Sequence, residues 1–71
     1  MSPDTSGHRS EILAVAKRLF MTRGYRGVTT REIAEAVGIT QPALYHHFGG
    51  KEALYMAVLE EELASQSAEM W

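Results

Sequence analysis

Residues 29–48 contain several kinds of hydrogen-bonding side chain, among them hydroxyls, an amide, imidazoles and a phenol. Several of these side chains fall on one short predicted helix. Gln41 carries an amide that can bond the edge of an adenine, and Pro42 and Ala43 can pack on a thymine methyl group. No lysine, arginine or acid occurs between Gln41 and His47. A solvated helix face usually carries charge, so this pattern indicates a helix that lies in a DNA groove. The alternative is an ordinary short exposed helix.

The direction of each side chain on this helix follows from a rotation of about 100° per residue. Leu44 is the strong apolar residue and is predicted to point inward. The directions roughly opposite it belong to Pro42, Tyr45 and His46. We therefore expect Tyr45 to touch bases or phosphates, and His46 is a further candidate for DNA contact.

Groups suited to phosphate binding surround the same helix. Thr29 and Thr30 offer hydroxyls and backbone N–H groups at a helix N-terminus, which attracts anions. Tyr45 offers a phenol, His47 an imidazole, and Lys51 a charge at the start of the next helix. The alternative for Tyr45 is a half-buried packing residue, and the alternative for Lys51 is a merely solvated side chain. Thr29 is a helix cap in either case.

Two further features bear on chemistry. Arg31 lies in the first turn of a helix and can reach a guanine or a phosphate, or it is simply solvated.

His46 and His47 are adjacent, so on a helix they diverge by about 100° and do not share a metal ion. The sequence has no cysteine, no recognisable nucleophile–base pair and no phosphate-binding glycine loop. We expect neither an enzyme nor a cofactor or metal site.

The sequence predicts an all-α fold with three bundled helices and a fourth leading out. Residues 1–6 are expected to be a disordered tail, and a helix follows that starts near residues 6–9 and stops at Gly24. Its apolar positions fit the helical template: Ile12, Val15, Ala16, Leu19 and Phe20.

The second and third predicted helices are joined by a tight turn. Thr29 and Glu32 form a capping box at the start of the second helix. Gly38 ends that helix with a positive φ, and Thr40 caps the third helix. Two short helices joined in this way predict a helix-turn-helix motif, whose second helix enters the major groove. The third helix is expected to end near His47 and the fourth to begin near residue 51.

Charge divides the sequence into two parts. All seven lysines and arginines lie between Arg9 and Lys51, so residues 1–51 carry +3, whereas residues 52–71 carry −5, for a net charge of −2. This asymmetry favours a nucleic-acid-facing part, although scattered surface charge explains it equally well. No apolar run reaches the ~18 residues of a membrane span, and no signal-peptide pattern opens the chain. We expect a cytoplasmic protein.

With these features in place, the sequence resembles the DNA-binding domain of the tetracycline-repressor (TetR) family of bacterial regulators. The matching residues, from about Arg9 to Leu54, are Ile12-Leu13, Ala16, Leu19-Phe20, Gly24-Tyr25, Thr29-Thr30, Ile33-Ala34, Gly38-Ile39-Thr40, Leu44-Tyr45, His47-Phe48 and Lys51-Glu52-Ala53-Leu54. Many matches at fixed spacing make this more specific than a generic helix-turn-helix pattern. The resemblance implies phosphate contacts at Thr30, Tyr45, His47 and Lys51. It implies base contacts at Arg31, Gln41, Pro42 and Ala43.

The resemblance also implies a domain organisation. Residues 7–50 correspond to a homeodomain-like helix-turn-helix domain, with the motif at about 29–48, and residues 51–71 to the start of a connecting helix. Family members have a larger C-terminal domain that binds a small effector and forms a homodimer, and we expect that domain to be missing here. Their DNA site is an inverted repeat. An isolated domain is therefore expected to bind one half-site weakly and without effector control.

The sequence favours sequence-specific binding of double-stranded DNA and transcriptional regulation, most simply repression. The main alternative is a protein-interaction module that presents the third helix or the acidic C-terminal helix to another protein. Dependence on salt separates the two, because binding through phosphates weakens steeply as salt is added.

Overall fold

The computed structural model describes the backbone of residues 4–69 and the side chains of residues 8–64. Helices are the only regular secondary structure in the described part, which confirms the predicted all-α class. The helices are α1 (Asp4–Arg23), a 3-10 turn (Tyr25–Gly27), α2 (Thr30–Val37), α3 (Gln41–His47) and α4 (Lys51–Glu69). Residues 1–3, Met70 and Trp71 lie outside the described residues.

The start of α1 differs from the prediction. The helix begins at Asp4, so residues 4–6 of the expected tail are helical. The physical reason is that aspartate, threonine and serine are all good N-cap types. Because residues 4–6 are of these three types in succession, residue type alone does not select the first helical position.

The core lies where α1 crosses α2 and α4, and α3 closes it from one side. Its buried apolar residues are Ile12, Leu13, Ala16, Phe20, Val28, Ile33, Ala34, Leu44, Phe48, Leu54 and Val58. The predicted face of α1 is largely confirmed, but Leu13 is buried whereas Val15 and Leu19 are only half-buried. A helix that packs against two neighbours buries a wider stripe than one face, which accounts for the difference.

The turn between α2 and α3 has the predicted geometry. Gly38 has a φ of 93°, in the left-handed region where side chains are strained. The N–H groups of Gly38 and Ile39 donate to the Ala34 carbonyl at 2.8 and 2.9 Å. The Thr40 hydroxyl then accepts from the Ala43 N–H at 3.2 Å. These bonds satisfy part of the unpaired backbone groups at both helix ends and fix the angle at which α3 leaves α2.

The start of α2 is tied to the end of α1. The Arg23 guanidinium donates to a Glu32 carboxylate oxygen at 3.0 Å and to the Gly27 carbonyl at 3.3 Å. The Thr29 N–H donates to the other Glu32 oxygen at 3.1 Å and completes the capping box. The hydrogen bond from Arg23, then that from Thr29, lowers the pKa of Glu32 below its ordinary value of 4.5.

This lowered pKa predicts a contribution of Glu32 that disappears in acid. The contribution is fully present above the unfolded-state pKa of 4.5 and is lost as pH falls through the lower folded-state pKa. The melting temperatures of wild type and Glu32→Gln should therefore differ at neutral pH and converge in acid, as pH falls below 4.5 and through the lowered folded-state pKa. Glu60→Gln is the control, because Glu60 is exposed on α4 and its substitution should leave the melting temperature at neutral pH close to that of wild type. A constant difference between wild type and Glu32→Gln down to low pH would contradict the prediction.

The far part of α4 is acidic and packs against α1. Glu62 accepts from the Lys17 ammonium at 2.7 Å, and this hydrogen bond raises the pKa of Lys17. Glu60 and Glu61 are exposed beside it. Among the described helices none is both long and apolar enough to cross a membrane.

Candidate nucleic-acid interface

The exposed side of α3 carries the residues that the sequence predicts to face DNA. Leu44 is fully buried, whereas Tyr45 is 43% exposed. Pro42 and His46 are exposed, and Gln41 is half-buried beside them. We call Gln41, Pro42, Tyr45 and His46 the α3 face. The predicted orientation of the helix is confirmed, and the DNA contacts of these residues stay predictions.

Thr30 joins α2 to the α3 face. The residue is only 7% exposed. Its hydroxyl lies 2.9 Å from the Tyr45 hydroxyl, and it accepts from the Gln41 Nε2 group at 3.1 Å. Sequence reasoning placed Thr30 near phosphates and did not foresee these bonds, because Gln41 and Tyr45 are 11 and 15 positions away. The Thr30 hydroxyl is therefore engaged within the protein.

The N-terminus of α2 retains groups that suit an anion. The Thr29 hydroxyl accepts from the Glu32 N–H at 3.1 Å, which confirms the predicted cap. The N–H groups of Thr30 and Arg31 also belong to the first turn, where a helix provides no acceptor one turn earlier. Together with the positive end of the helix dipole, these N–H groups form a suitable place for a phosphate oxygen.

Arg31 lies on the outside of α2. Its Nε group is 3.3 Å from a Glu35 carboxylate oxygen, one helical turn later, and both side chains are more than two-thirds exposed. An ion pair of this kind contributes only about 0.3–0.5 kcal/mol. The guanidinium can therefore exchange Glu35 for a base or a phosphate at little cost.

Lys51 is held by an aromatic cluster that the sequence pattern did not reveal. Its ammonium lies 4.3 Å from the centre of the Tyr25 ring, a cation–π contact. Tyr25 packs in turn on Phe20 and Tyr55, at ring-centre distances of 5.8 and 4.8 Å. Tyr25 comes from the 3-10 turn, so the connection between α1 and α2 positions a cation at the start of α4. Residue type predicts Gly24 as the end of α1, but only the resemblance to the family pointed to Tyr25.

The carboxyl end of α3 meets the start of α1. The His47 and His8 rings lie 6.2 Å apart edge to face, and the Arg9 guanidinium lies 4.7 Å from the centre of the Phe48 ring. Arg9 and His8 thus stand beside the carboxyl end of α3, and neither was predicted from the sequence to be a contact residue. The His46 and His47 rings are also 6.2 Å apart. Within the described residues, no group of three or more potential metal ligands lies together.

The sequence is similar to those of known proteins. A family model described as bacterial regulatory proteins, tetR family, matches residues 12–58. The HTH-type transcriptional repressor AcnR of Corynebacterium efficiens is 46% identical over 56 residues, which are 79% of this chain and 30% of that protein. The HTH-type transcriptional repressor KstR2 of Rhodococcus jostii is 48% identical over 54 residues, 76% of this chain and 26% of that protein.

A solved structure shows the same fold. The crystal structure of a TetR-family transcriptional regulator from Pectobacterium atrosepticum superimposes with a TM-score of 0.80 at 32% identity, over 97% of this chain and 36% of that chain. The chain thus spans about a third or less of the length of these relatives. The matched residues 12–58 contain all of α2, the turn and α3. The chain belongs to the tetR family of bacterial regulatory proteins, of which it carries the DNA-binding domain.

Proposed function

We propose that the chain binds double-stranded DNA sequence-specifically through the major groove and acts in transcriptional repression. The observation that carries the proposal is the orientation of α3. Leu44 anchors the helix in the core, and the α3 face, which contains no lysine, arginine or acid, points away from it. A helix presented in this way fits a major groove, which is about 12 Å wide. AcnR and KstR2 are named repressors, which favours repression here.

Base reading falls to the α3 face and two neighbours. The Gln41 amide suits an adenine edge, and Pro42 and Ala43 suit a thymine methyl group. Arg31 suits a guanine, because its weak pairing with Glu35 leaves it free to move. Tyr45 lies at the edge of this face and reaches bases or backbone, with His46 as an additional contact.

Phosphate binding surrounds this base-reading surface. The first-turn N–H groups of α2, at Thr30 and its neighbour, suit one phosphate, and the Thr29 cap stabilises that turn. Tyr45, His47 and Lys51 suit others through a phenol, an imidazole and an ammonium. Tyr25 fixes the direction of Lys51. These contacts determine the register of α3 in the groove rather than the sequence it prefers.

The remaining proposals concern the whole regulator. We infer that it works in the bacterial cytoplasm as a homodimer on an inverted repeat. The two copies of α3 would then lie about 34–36 Å apart, or a multiple of that distance. Once one domain of the dimer has bound its half-site, the second domain meets the other half-site at an effective concentration of order mM, because the two domains are linked. A small effector would bind outside the residues described here.

Selection of preferred duplexes from a random pool, followed by salt titration, tests the proposal. The logarithm of the binding constant should fall linearly with the logarithm of the salt concentration. Lys51→Ala should make the slope of that line shallower by about 1. Lys17→Ala is the matched control, because Lys17 pairs with Glu62, about 16 Å along α4 from Lys51. It should leave the slope nearly unchanged. Absence of duplex binding, or binding indifferent to salt, would favour the protein-interaction module instead.

A further inference from the structure

The Thr30 hydroxyl joins two α3 residues that have different proposed tasks. It lies 2.9 Å from the Tyr45 hydroxyl and 3.1 Å from Gln41 Nε2, while the residue is 7% exposed. A threonine hydroxyl has one proton to donate and two lone pairs that accept. Because the geometry of the Thr30–Tyr45 bond allows either oxygen to donate, its direction depends on what Tyr45 binds.

Phosphate binding selects one direction. A phosphate oxygen accepts hydrogen bonds, so Tyr45 must turn its own O–H proton toward the DNA backbone. The Tyr45 oxygen then accepts the proton of Thr30. With its only proton committed, the Thr30 oxygen can still accept, and the neighbouring donor is the Gln41 amide nitrogen.

This direction also determines what Gln41 shows to a base. Its Nε2 group faces Thr30 with one hydrogen, which leaves one N–H donor and the Oε1 acceptor free. That pair matches adenine, which presents an N7 acceptor and an N6 donor in the major groove. Guanine presents two acceptors, N7 and O6, so Oε1 would face an acceptor there. A reversed amide would suit guanine better, but it would need a second proton on Thr30.

We propose that Thr30 is a positioning residue, whose hydroxyl couples phosphate binding by Tyr45 to adenine preference at Gln41. This proposal depends on the DNA-binding function proposed above. Thr30 contacts no base in this scheme. It determines base preference through the orientation of the Gln41 amide.

Substitution at Thr30 tests the coupling. The base pair read by Gln41 is first identified as the one at which Gln41→Ala loses preference. At that pair, the ratio of affinities for adenine over guanine should fall at least about fivefold in Thr30→Val, which keeps the shape without the hydroxyl. Thr30→Ser retains the hydroxyl and should retain the ratio. In a Gln41→Ala background, Thr30→Val should change the ratio no further, because the amide that it orients is absent.

Tyr45→Phe provides a second test, at an exposed position. It tests the coupling even if a thermal melt shows that Thr30→Val folds poorly. The variant frees the Thr30 proton for Gln41 Oε1, so the adenine-to-guanine ratio should fall together with the affinity. If both Thr30→Val and Tyr45→Phe kept the wild-type ratio of affinities for adenine over guanine, the coupling would be overturned while DNA binding stayed in place. A wild-type chain without any base preference would instead overturn the proposed function.

Discussion

Leu44→Ala is expected to lower the free energy of unfolding by about 2–5 kcal/mol. Leu44 is fully buried and is the inward anchor of α3, which has only seven residues. A helix this short is unstable in isolation, so packing maintains it. A domain of 71 residues has a total stability of only about 4–10 kcal/mol. The substitution therefore removes a large share of that stability and loosens the α3 face together with the core.

Denaturant unfolding measures this change. Leu63→Ala provides the matched control, because Leu63 is 66% exposed on α4. Surface substitutions of this kind change stability by about 0.5 kcal/mol or less. Equal midpoints for Leu44→Ala and Leu63→Ala would show that Leu44 does not anchor α3. An additional loss of DNA affinity in Leu44→Ala under folded conditions is expected, because the α3 face would lose its fixed orientation.

Gln41→Ala is expected to lose about 1–3 kcal/mol of discrimination at one or two base pairs. The Gln41 amide is held by Thr30 before DNA arrives, so little side-chain freedom is lost on binding. Truncation removes both the amide contact and this preorganisation. Binding to unrelated duplexes should change little, because their affinity comes mainly from phosphate contacts.

Competition between preferred and altered duplexes measures the effect at constant salt. Lys51→Ala is the complementary variant, since it should weaken all duplexes alike and leave their ranking intact. The two variants thus separate base reading from phosphate binding. An unchanged sequence preference in Gln41→Ala would remove Gln41 from the base-reading set and would shift that task to Arg31 or the rest of the α3 face.

The sequence alone predicts features whose partners are close in the chain. The Thr29–Glu32 capping box, the left-handed Gly38 and the Thr40 cap all involve residues within four positions. Each depends on backbone geometry that a residue type requires or strongly favours. The inward direction of Leu44 follows from helical periodicity in the same way.

Features that depend on how helices cross could not be predicted from residue types. The bonds from Thr30 to α3 span 11 and 15 positions, and the contact of Lys51 with Tyr25 spans 26. Such contacts require the distances between elements, which apolar periodicity does not specify. The half-buried Val15 and the buried Leu13 have the same origin, because the second neighbour of α1 widens its buried stripe.

The acidic part of α4 affects how the molecule approaches a duplex. Glu60 and Glu61 are exposed about 14 Å along the helix from Lys51, and the cation beside them, Lys17, is paired with Glu62. In the field of a polyanion, this separation of charge exerts a torque that turns the carboxylates outward during diffusional encounter. The effect acts over about a Debye length, roughly 10 Å at 0.1 M salt. A net charge of −2 weakens the long-range attraction to DNA, but the distribution of charge determines which part of the molecule faces the duplex.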